Sequence, residues 1–316
     1  MDQLSSFGRA INQIVGPTFG TYAPLLAARQ AAIHSTKRET FQYANHSRQA
    51  LDIYYAEDDI PSTQPKSVLL YMYGGGFVIG DKADPNYAGG TVYGNLAHYF
   101  ATTFGYTVVI PDYRLVSHGA RFPSGGVDLL LAIEWIKTCL TEKKGYASIN
   151  LFLMGASAGG VHIATYLLSP EFASSLAALT QASAQQGVKL RAVSFIQVPF
   201  HFEKAIKQRI PDLEAYYGGS DLLTPSPLGL LRSNNLDSAL TDSDVKFGVW
   251  SGDLDPEDEI LEPIRDFLRE WKGPALQPHT IQGHNHLSSQ LGLGTGVEKE
   301  EAWGLEIGRF FQSSCP

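Results

Sequence analysis

Ile149-Asn150-Leu151-Phe152-Leu153-Met154 leads directly into Gly155-Ala156-Ser157-Ala158-Gly159, and Val161-His162-Ile163-Ala164-Thr165-Tyr166-Leu167-Leu168 follows. The first apolar run predicts a buried strand, and the last segment is typical of a helix. Between them, Gly-x-Ser-x-Gly predicts a sharp turn whose small neighbours permit a strained backbone at the central serine. Such a turn holds the Ser157 hydroxyl at a helix N-terminus, where free N–H groups favour negative charge. Ser157 is therefore a candidate nucleophile, and an ordinary glycine-rich turn is the alternative.

The rest of the chain alternates apolar runs with helical patterns. Alternation at 50–55 predicts an edge strand, and residues 1–45 have an amphipathic helical pattern. Further strands are predicted at 67–72, 107–110, 192–196, 245–250 and 278–281, and helices at 91–104, 127–140 and 300–311. Strands that are apolar throughout and separated by helices indicate an α/β fold with a mostly parallel sheet covered on both faces. No repeat or low-complexity linker interrupts residues 1–316, so the sequence predicts a single domain with its site beyond the carboxyl ends of the strands.

Composition narrows the classes of function. The chain is 44% hydrophobic and 18% charged, with a formal net charge of -8. This negative charge argues against binding to nucleic acid or to anionic membranes, and no run reaches transmembrane length. Cys139 and Cys315 form neither a disulfide scaffold nor a metal-binding spacing, and the N-terminal residues show no signal-peptide pattern. These features predict a cytoplasmic protein without a metal site.

A serine hydroxyl needs oxyanion donors, a base and an orienting acid before it can act as a nucleophile. Tyr73-Gly74-Gly75-Gly76-Phe77 directly follows the strand predicted at 67–72. Its glycines leave backbone N–H groups uncovered, so they can point at a developing negative charge. The segment therefore predicts an oxyanion hole, and a flexible turn between strand and helix is the alternative.

Two later loops supply candidates for the acid and the base. Asp253 and Asp255 follow the strand predicted at 245–250, and His284 and His286 follow the last predicted strand. The order serine, acid, histidine along the chain is the order described for α/β-hydrolases. The residue types alone leave both carboxylates and both histidines open.

Several segments together resemble the hormone-sensitive-lipase-like carboxylesterases of the α/β-hydrolase superfamily. Tyr73-Gly74-Gly75-Gly76-Phe77-Val78-Ile79-Gly80-Asp81 resembles their His-Gly-Gly-Gly segment, and Gly155-Ala156-Ser157-Ala158-Gly159-Gly160 resembles their Gly-Asp-Ser-Ala-Gly-Gly. Pro111-Asp112-Tyr113-Arg114-Leu115, with Phe122-Pro123 and Val127-Asp128, resembles their Tyr-Arg-Leu…Phe-Pro…Asp stretch. The likeness runs from about residue 50 to the end of the chain.

This resemblance implies a role for each site residue. Ser157 is the nucleophile, Asp255 matches the family's Asp-Pro, and His286 matches its Gly-x-x-His because Gly283 stands three residues earlier. Asp253 and His284 are the second choices. The oxyanion N–H groups are those of Gly75, Gly76 and Ala158, and residues 1–45 form a cap over the pocket. The resemblance implies a small-molecule acyl substrate, no metal and no organic cofactor, and it leaves the oligomeric state open.

The chain departs from the family pattern at four places that line or support the pocket. The loop that carries Asp253 and Asp255 is one residue shorter than the family's form, and the other three departures are substitutions. Tyr73 replaces the first histidine of the glycine motif, Ala156 replaces the acid before the serine, and Val116-Ser117-His118 replaces Ala-Pro-Glu. Alternative reactions on the same site are those of arylformamidases and of biosynthetic hydrolases that release or cyclise an enzyme-bound acyl chain. The segment from Gly283 to Gly296 resembles fungal members, which suggests a secondary-metabolite substrate. A small-molecule receptor that has kept the pocket without the chemistry is a further alternative.

Overall fold

The computed structural model describes residues 3–57, 64–182, 187–234 and 236–316 of the chain. Within these residues, eight strands form one sheet. The strand order is β1-β2-β4-β3-β5-β6-β7-β8. β1 is antiparallel to β2, and β2 is antiparallel to β4. The six strands β3 to β8 are parallel to one another. The strands are β1 (Arg38–Gln42), β2 (Ala50–Tyr54), β3 (Lys66–Met72), β4 (Thr107–Pro111), β5 (Ser148–Ala156), β6 (Gly187–Ile196), β7 (Lys246–Gly252) and β8 (Leu276–Ile281).

Helices follow most of the strands, as right-handed crossovers between parallel strands require. The helices are α1 (Ile11–Ala28), α2 (Gln30–Ser35), α3 (Gly94–Phe104), α4 (Ser124–Ile136), α5 (Ala158–Leu168), α6 (Ala173–Thr180), α7 (Ile210–Tyr217), α8 (Pro227–Ser233), α9 (Ser238–Thr241), α10 (Glu262–Glu270), α11 (Ser288–Gly292) and α12 (Glu298–Gln312). Within the described ranges, no helix combines the length and the apolar character that a membrane crossing requires.

The central strands confirm the prediction from the apolar runs. Every residue of β5 is buried, and so is every residue of β4. Because helices cover both faces of these strands, side chains on alternating sides are both removed from water, which explains runs without polar alternation. The apolar runs in the sequence therefore indicate directly that the centre of the sheet is buried.

The edge of the sheet corrects the prediction for the first part of the chain. The strand predicted at 50–55 is not the edge, because β1 pairs with it on its outer side. β1 lies inside the stretch 1–45 that the sequence pattern predicted as helical. Its Arg-Glu-Thr-Phe-Gln sequence has no fully buried residue, so it lacks the apolar signal of a strand. Charged residues on an edge strand also limit unwanted pairing with other chains.

The start of α5 packs unusually close to the end of β3. A Cβ added to Gly159 would lie 2.1 Å from the carbonyl oxygen of Met72. This distance is far inside van der Waals contact, and the obstacle is backbone that cannot rotate away. The absence of a side chain at Gly159 therefore allows the helix that follows Ser157 to approach the sheet.

We expect Gly159→Ala to lower the free energy of unfolding by about 1–3 kcal/mol, because overpacking forces the backbone apart. Urea unfolding of the purified variant measures this change. Gly20→Ala is the matched control, since Gly20 lies in α1 with no atom within 4 Å of an added Cβ. The control should be neutral or stabilising by up to about 1 kcal/mol. Equal stability of Gly159→Ala and the parent would contradict the proposed packing constraint.

Candidate active site

Ser157 occupies the turn between β5 and α5 with φ 48° and ψ −122°. This is a sparsely populated conformation for a residue with a side chain, so the surrounding structure must hold it. Its N–H donates to the Ile196 carbonyl at 2.9 Å, and its own carbonyl accepts from the Val161 N–H at 3.1 Å. The neighbouring strand β6 and the first turn of α5 thus hold the serine in the strained turn that its sequence pattern predicts.

His286 lies between Ser157 and Asp255. Its Nε2 is 3.0 Å from Ser157 Oγ, and its Nδ1 is 3.3 Å from Asp255 Oδ1. The contact at Nδ1 does not have the geometry of a hydrogen bond. The structure therefore brings together the three side chains that the resemblance selects, in the order hydroxyl, imidazole, carboxylate.

Asp255 is fully buried at the carboxyl end of β7. Its Oδ2 accepts a hydrogen bond from the Gly252 N–H at 2.7 Å, and its Oδ1 accepts one from Gln197 Nε2 at 2.9 Å. A buried carboxylate is costly unless such donors compensate for the lost water. These two neutral donors hold the carboxylate beside His286.

The second-choice residues have other roles in the same loops. Asp253 Oδ1 accepts a hydrogen bond from the Gly283 N–H at 2.8 Å. This bond joins the loop after β7 that carries Asp255 (the acid loop) to the start of the loop after β8 that carries His286 (the base loop). His284 turns away from Ser157: its Nδ1 is 3.0 Å from Ser288 Oγ and its Nε2 is 3.8 Å from Glu300 Oε2. The structure places neither Asp253 nor His284 in the line that joins Ser157 to Asp255.

The glycine loop after β3 faces the serine turn. A Cβ on Gly74 would lie 3.0 Å from Ser157 Cβ, and Gly75 has φ 138° with the Ile79 carbonyl 1.9 Å from the place of its missing Cβ. Among the described residues, no acceptor forms a hydrogen bond with the backbone N–H groups of Gly75, Gly76 or Ala158. These donors are the ones that the resemblance assigns to an oxyanion hole.

Tyr73 anchors the first residue of that loop. Its hydroxyl donates to Asp112 Oδ1 at 2.6 Å and accepts from Arg48 Nη2 at 2.8 Å. Arg48 also donates to the Gly80 carbonyl at 2.7 Å, at the far end of the loop. The Tyr113 ring stacks on Tyr73 with centroids 4.8 Å apart. Burial raises the pKa of the Tyr73 phenol well above its ordinary value, so the hydroxyl stays a neutral donor.

The N-terminal segment contacts the loops that carry Asp255 and His286. Thr18 on α1 accepts a hydrogen bond from Asn285 Nδ2 at 2.8 Å, and Arg9 donates to the Asp255 carbonyl at 3.0 Å. Further along α1, the Tyr22 hydroxyl donates to Glu300 Oε2 at 2.5 Å. The segment predicted as a cap thus docks on the loops that carry the acid and the base.

The sequence profile of the BD-FAE family matches residues 51–217, which is more than half of the chain. The chain belongs to the BD-FAE family. The matched region contains the glycine loop and Ser157, whereas Asp255 and His286 lie beyond it.

Curated relatives of this BD-FAE protein include bile salt-activated lipases. The chain is 25% identical to the protein from Bos taurus over 190 residues and 24% identical to the one from Homo sapiens over the same length. Each alignment takes in 58% of this chain, but it spans only 31% of the bovine protein and 24% of the human one.

Solved structures with the same fold include esterases. Esterase B from Lactobacillus rhamnosis superposes with a TM-score of 0.64 at 16% identity, covering 100% of this chain and 97% of the other. The esterase Est2 from Thermogutta terrifontis superposes with a TM-score of 0.59 at 19% identity, covering 87% and 92%. The predicted α/β-hydrolase fold is confirmed.

Several residues of the site were missed by the sequence analysis. Gln197 follows the strand predicted at 192–196, and its place at a carboxyl strand end was the available signal. Arg48 and Thr18 lie far from the motifs along the chain, and only folding brings them to the glycine loop and the base loop. Within the described ranges, no group of three or more His, Cys, Asp or Glu side chains is placed to hold a metal ion.

His162 lies on α5, the helix that follows Ser157, and is buried. Its ring contacts Tyr113 and Phe77, with centroids 4.6 Å and 5.4 Å away. Burial alone lowers the pKa of His162 to about 3, and burial is also the main cause that lowers the pKa of His284 to about 4. Both imidazoles are therefore neutral in the folded protein at neutral pH.

These two histidines should make the protein less stable as the pH falls below about 6.5, the ordinary histidine pKa. The unfolded chain then binds protons that the folded chain does not, so each group costs about 1.4 kcal/mol per pH unit. We expect His162→Gln to lose about 2 kcal/mol less than the parent between pH 7 and pH 5, as measured by urea unfolding. The control is Gly20→Ala, which alters no titratable group, so its pH dependence should match the parent. A parent-like slope in His162→Gln would show that this histidine is not the source.

Proposed function

We propose that this protein is a serine hydrolase that cleaves a carboxylic ester of a small molecule through an acyl-enzyme. The observation that carries the proposal is the line from Ser157 Oγ through His286 to Asp255, with contacts of 3.0 Å and 3.3 Å. The curated lipase relatives and the family membership support the same class of reaction. Each step uses groups of the chain and water.

Acylation begins at Ser157. His286 Nε2 accepts the hydroxyl proton as Oγ attacks the acyl carbonyl, and the imidazolium that forms is stabilised by the Asp255 carboxylate. Asp255 also fixes the tautomer, because a carboxylate at Nδ1 keeps the proton there and leaves Nε2 free to act as the base. The imidazolium then protonates the leaving alcohol as the tetrahedral intermediate collapses.

The backbone N–H groups of Gly75, Gly76 and Ala158 would stabilise the oxyanion of that intermediate. Their freedom from other acceptors leaves them available to a developing negative charge, and Ala158 adds the N-terminus of α5. Water, activated by His286 in the same way, then attacks the acyl-enzyme and releases the acid. Removing one donor of such a hole typically costs about a hundredfold to a thousandfold in kcat.

Other reactions fit the same machinery. An arylformamidase, or a biosynthetic hydrolase that releases or cyclises an enzyme-bound acyl chain, would use the same serine and oxyanion donors. Assays against panels of esters, lactones, formamides and thioesters separate these reactions. A receptor without chemistry is less consistent with this site, because a base lies within hydrogen-bond distance of the serine.

We expect Ser157→Ala to abolish labelling by a fluorophosphonate probe and to lower ester turnover by about three orders of magnitude or more, since the triad acts as a unit. The probe requires an activated serine, so labelling of the parent tests the proposed function directly. Circular dichroism of the variant controls for folding. Full labelling of Ser157→Ala would assign the chemistry to another serine, and an unlabelled, inactive parent would overturn the proposal.

The two histidines of the base loop should differ sharply. We expect His286→Ala to be nearly inactive, because no other described side chain replaces its Nε2 beside Ser157. His284→Ala should keep a substantial fraction of activity, since His284 faces Ser288 and Glu300 instead. Initial rates on one ester under identical conditions make the comparison. A variant pair with the opposite ranking would move the base to His284 and leave the remaining mechanism intact.

A further inference from the structure

We propose that Gln197 is a positioning residue for the catalytic acid: its side-chain amide holds Asp255 in register with His286 and keeps the negative charge at that point to one carboxylate. The inference rests on the proposed function, because it assigns a role within that triad. The side-chain hydrogen bonds of Gln197 go to Asp255, Asn285 and Ser289, so the expected effects pass through Asp255 and His286.

The backbone of Gln197 is built to turn this side chain inward. Gln197 directly follows β6 and has φ 54°, in the left-handed region that residues with side chains rarely adopt. Its N–H donates to the Trp250 carbonyl at 2.7 Å, and the residue is fully buried. A strained, buried and hydrogen-bonded glutamine at a strand end beside the site calls for an explanation beyond packing.

The contacts of the amide determine its orientation. The nitrogen, Nε2, donates to Asp255 Oδ1 and to the Asn285 carbonyl, both at 2.9 Å. A carboxylate and a carbonyl can only accept hydrogen bonds, so the nitrogen and not the oxygen must face them. The oxygen, Oε1, accepts from Ser289 Oγ at 2.7 Å. One side chain therefore joins the acid loop to the base loop with every polar atom satisfied.

Gln197 acts on the oxygen that matters for the base. Asp255 Oδ1 is both the acceptor of the Gln197 amide and the atom 3.3 Å from His286 Nδ1. The other donor to Asp255 is the Gly252 N–H on Oδ2. Because both donors are neutral, they fix the plane of the carboxylate without neutralising it. The charge of Asp255 thus remains available to the imidazolium that forms during acylation.

The charged and titratable groups around this amide come from several elements. They are Asp253 and Asp255 from the loop after β7, His284 and His286 from the base loop, Arg9 from the N-terminal segment and Glu300 from α12. Of these, Arg9 donates to the backbone carbonyl of Asp255, and Glu300 Oε2 lies 3.8 Å from His284 Nε2. Gln197 itself contributes no charge, which is the property that the test alters.

The decisive variant is Gln197→Glu, which keeps the shape and changes the charge. The new carboxyl lies beside Asp255, so the two buried carboxyls share one proton at low pH. When both ionise, the second charge stabilises the protonated imidazolium of His286, which cannot accept the proton of Ser157. We expect the acid limb of the kcat/KM profile to move to higher pH by about one unit, with lower activity at pH 7. A glutamate that lies away from Asp255 and His286 would leave the limb in place.

Gln49→Glu is the matched control. The buried Gln49 amide donates to Asp128 Oδ1 at 2.8 Å and accepts from the His46 N–H at 2.9 Å, so it makes the same kind of contact to a different aspartate. We expect Gln49→Glu to alter stability while its acid limb stays at the parent value. An equal shift of the limb in both variants would overturn the proposal.

Gln197→Met covers the case in which the glutamate variant does not fold. Methionine has a similar length but no donor, so Asp255 loses one hydrogen bond to a charged group. We expect kcat to fall by about tenfold to a hundredfold with little change in KM, because the residue does not meet substrate. Parent-like kcat in folded Gln197→Met refutes the role of Gln197. Absence of probe labelling and hydrolysis in the parent would instead refute the proposed function.

Discussion

The strained backbone at Ser157 is the constraint on which the site depends. A φ of 48° at a residue with a side chain is unfavourable by itself, and it persists because strand, helix and neighbouring loop all fit tightly around it. α5 approaches β3 closely only because Gly159 has no side chain, and β6 holds the serine N–H. The packing of the sheet centre thus contributes to holding the serine in place, and the burial of β5 stabilises a conformation that a surface turn would not keep.

The fold could largely be predicted from the sequence because burial leaves a direct mark on it. Strands buried on both faces have continuous apolar runs, and the turn at Ser157 needs small residues at fixed positions. β1 was missed because an exposed edge strand does not need apolar side chains. It is held by backbone hydrogen bonds to β2, which residues of any type can form. Element ends were also displaced, as at α4, where Ser124-Gly125-Gly126 carries little helical signal although it lies within the helix.

The candidate site was predictable to the extent that motifs encode it. The loops after β3, β5, β7 and β8 each carry a short sequence pattern, and the structure brings them together at the carboxyl ends of the parallel strands. The residues that support them have no such pattern. Gln197, Arg48 and Thr18 reach the site through contacts between segments distant in sequence. Nothing in the local sequence distinguishes a glutamine that holds Asp255 from one that faces water.

The exchange of histidine for Tyr73 changes what the glycine loop responds to. An imidazole at this position would gain or lose charge near neutral pH, and its hydrogen bonds would change with it. The Tyr73 phenol is buried between Arg48 and Asp112, and its pKa is raised far above neutrality. The anchor of the loop therefore keeps one protonation state in acidic, neutral and mildly alkaline solution. In this protein the shape of the glycine loop is uncoupled from the ionisation of its own anchor.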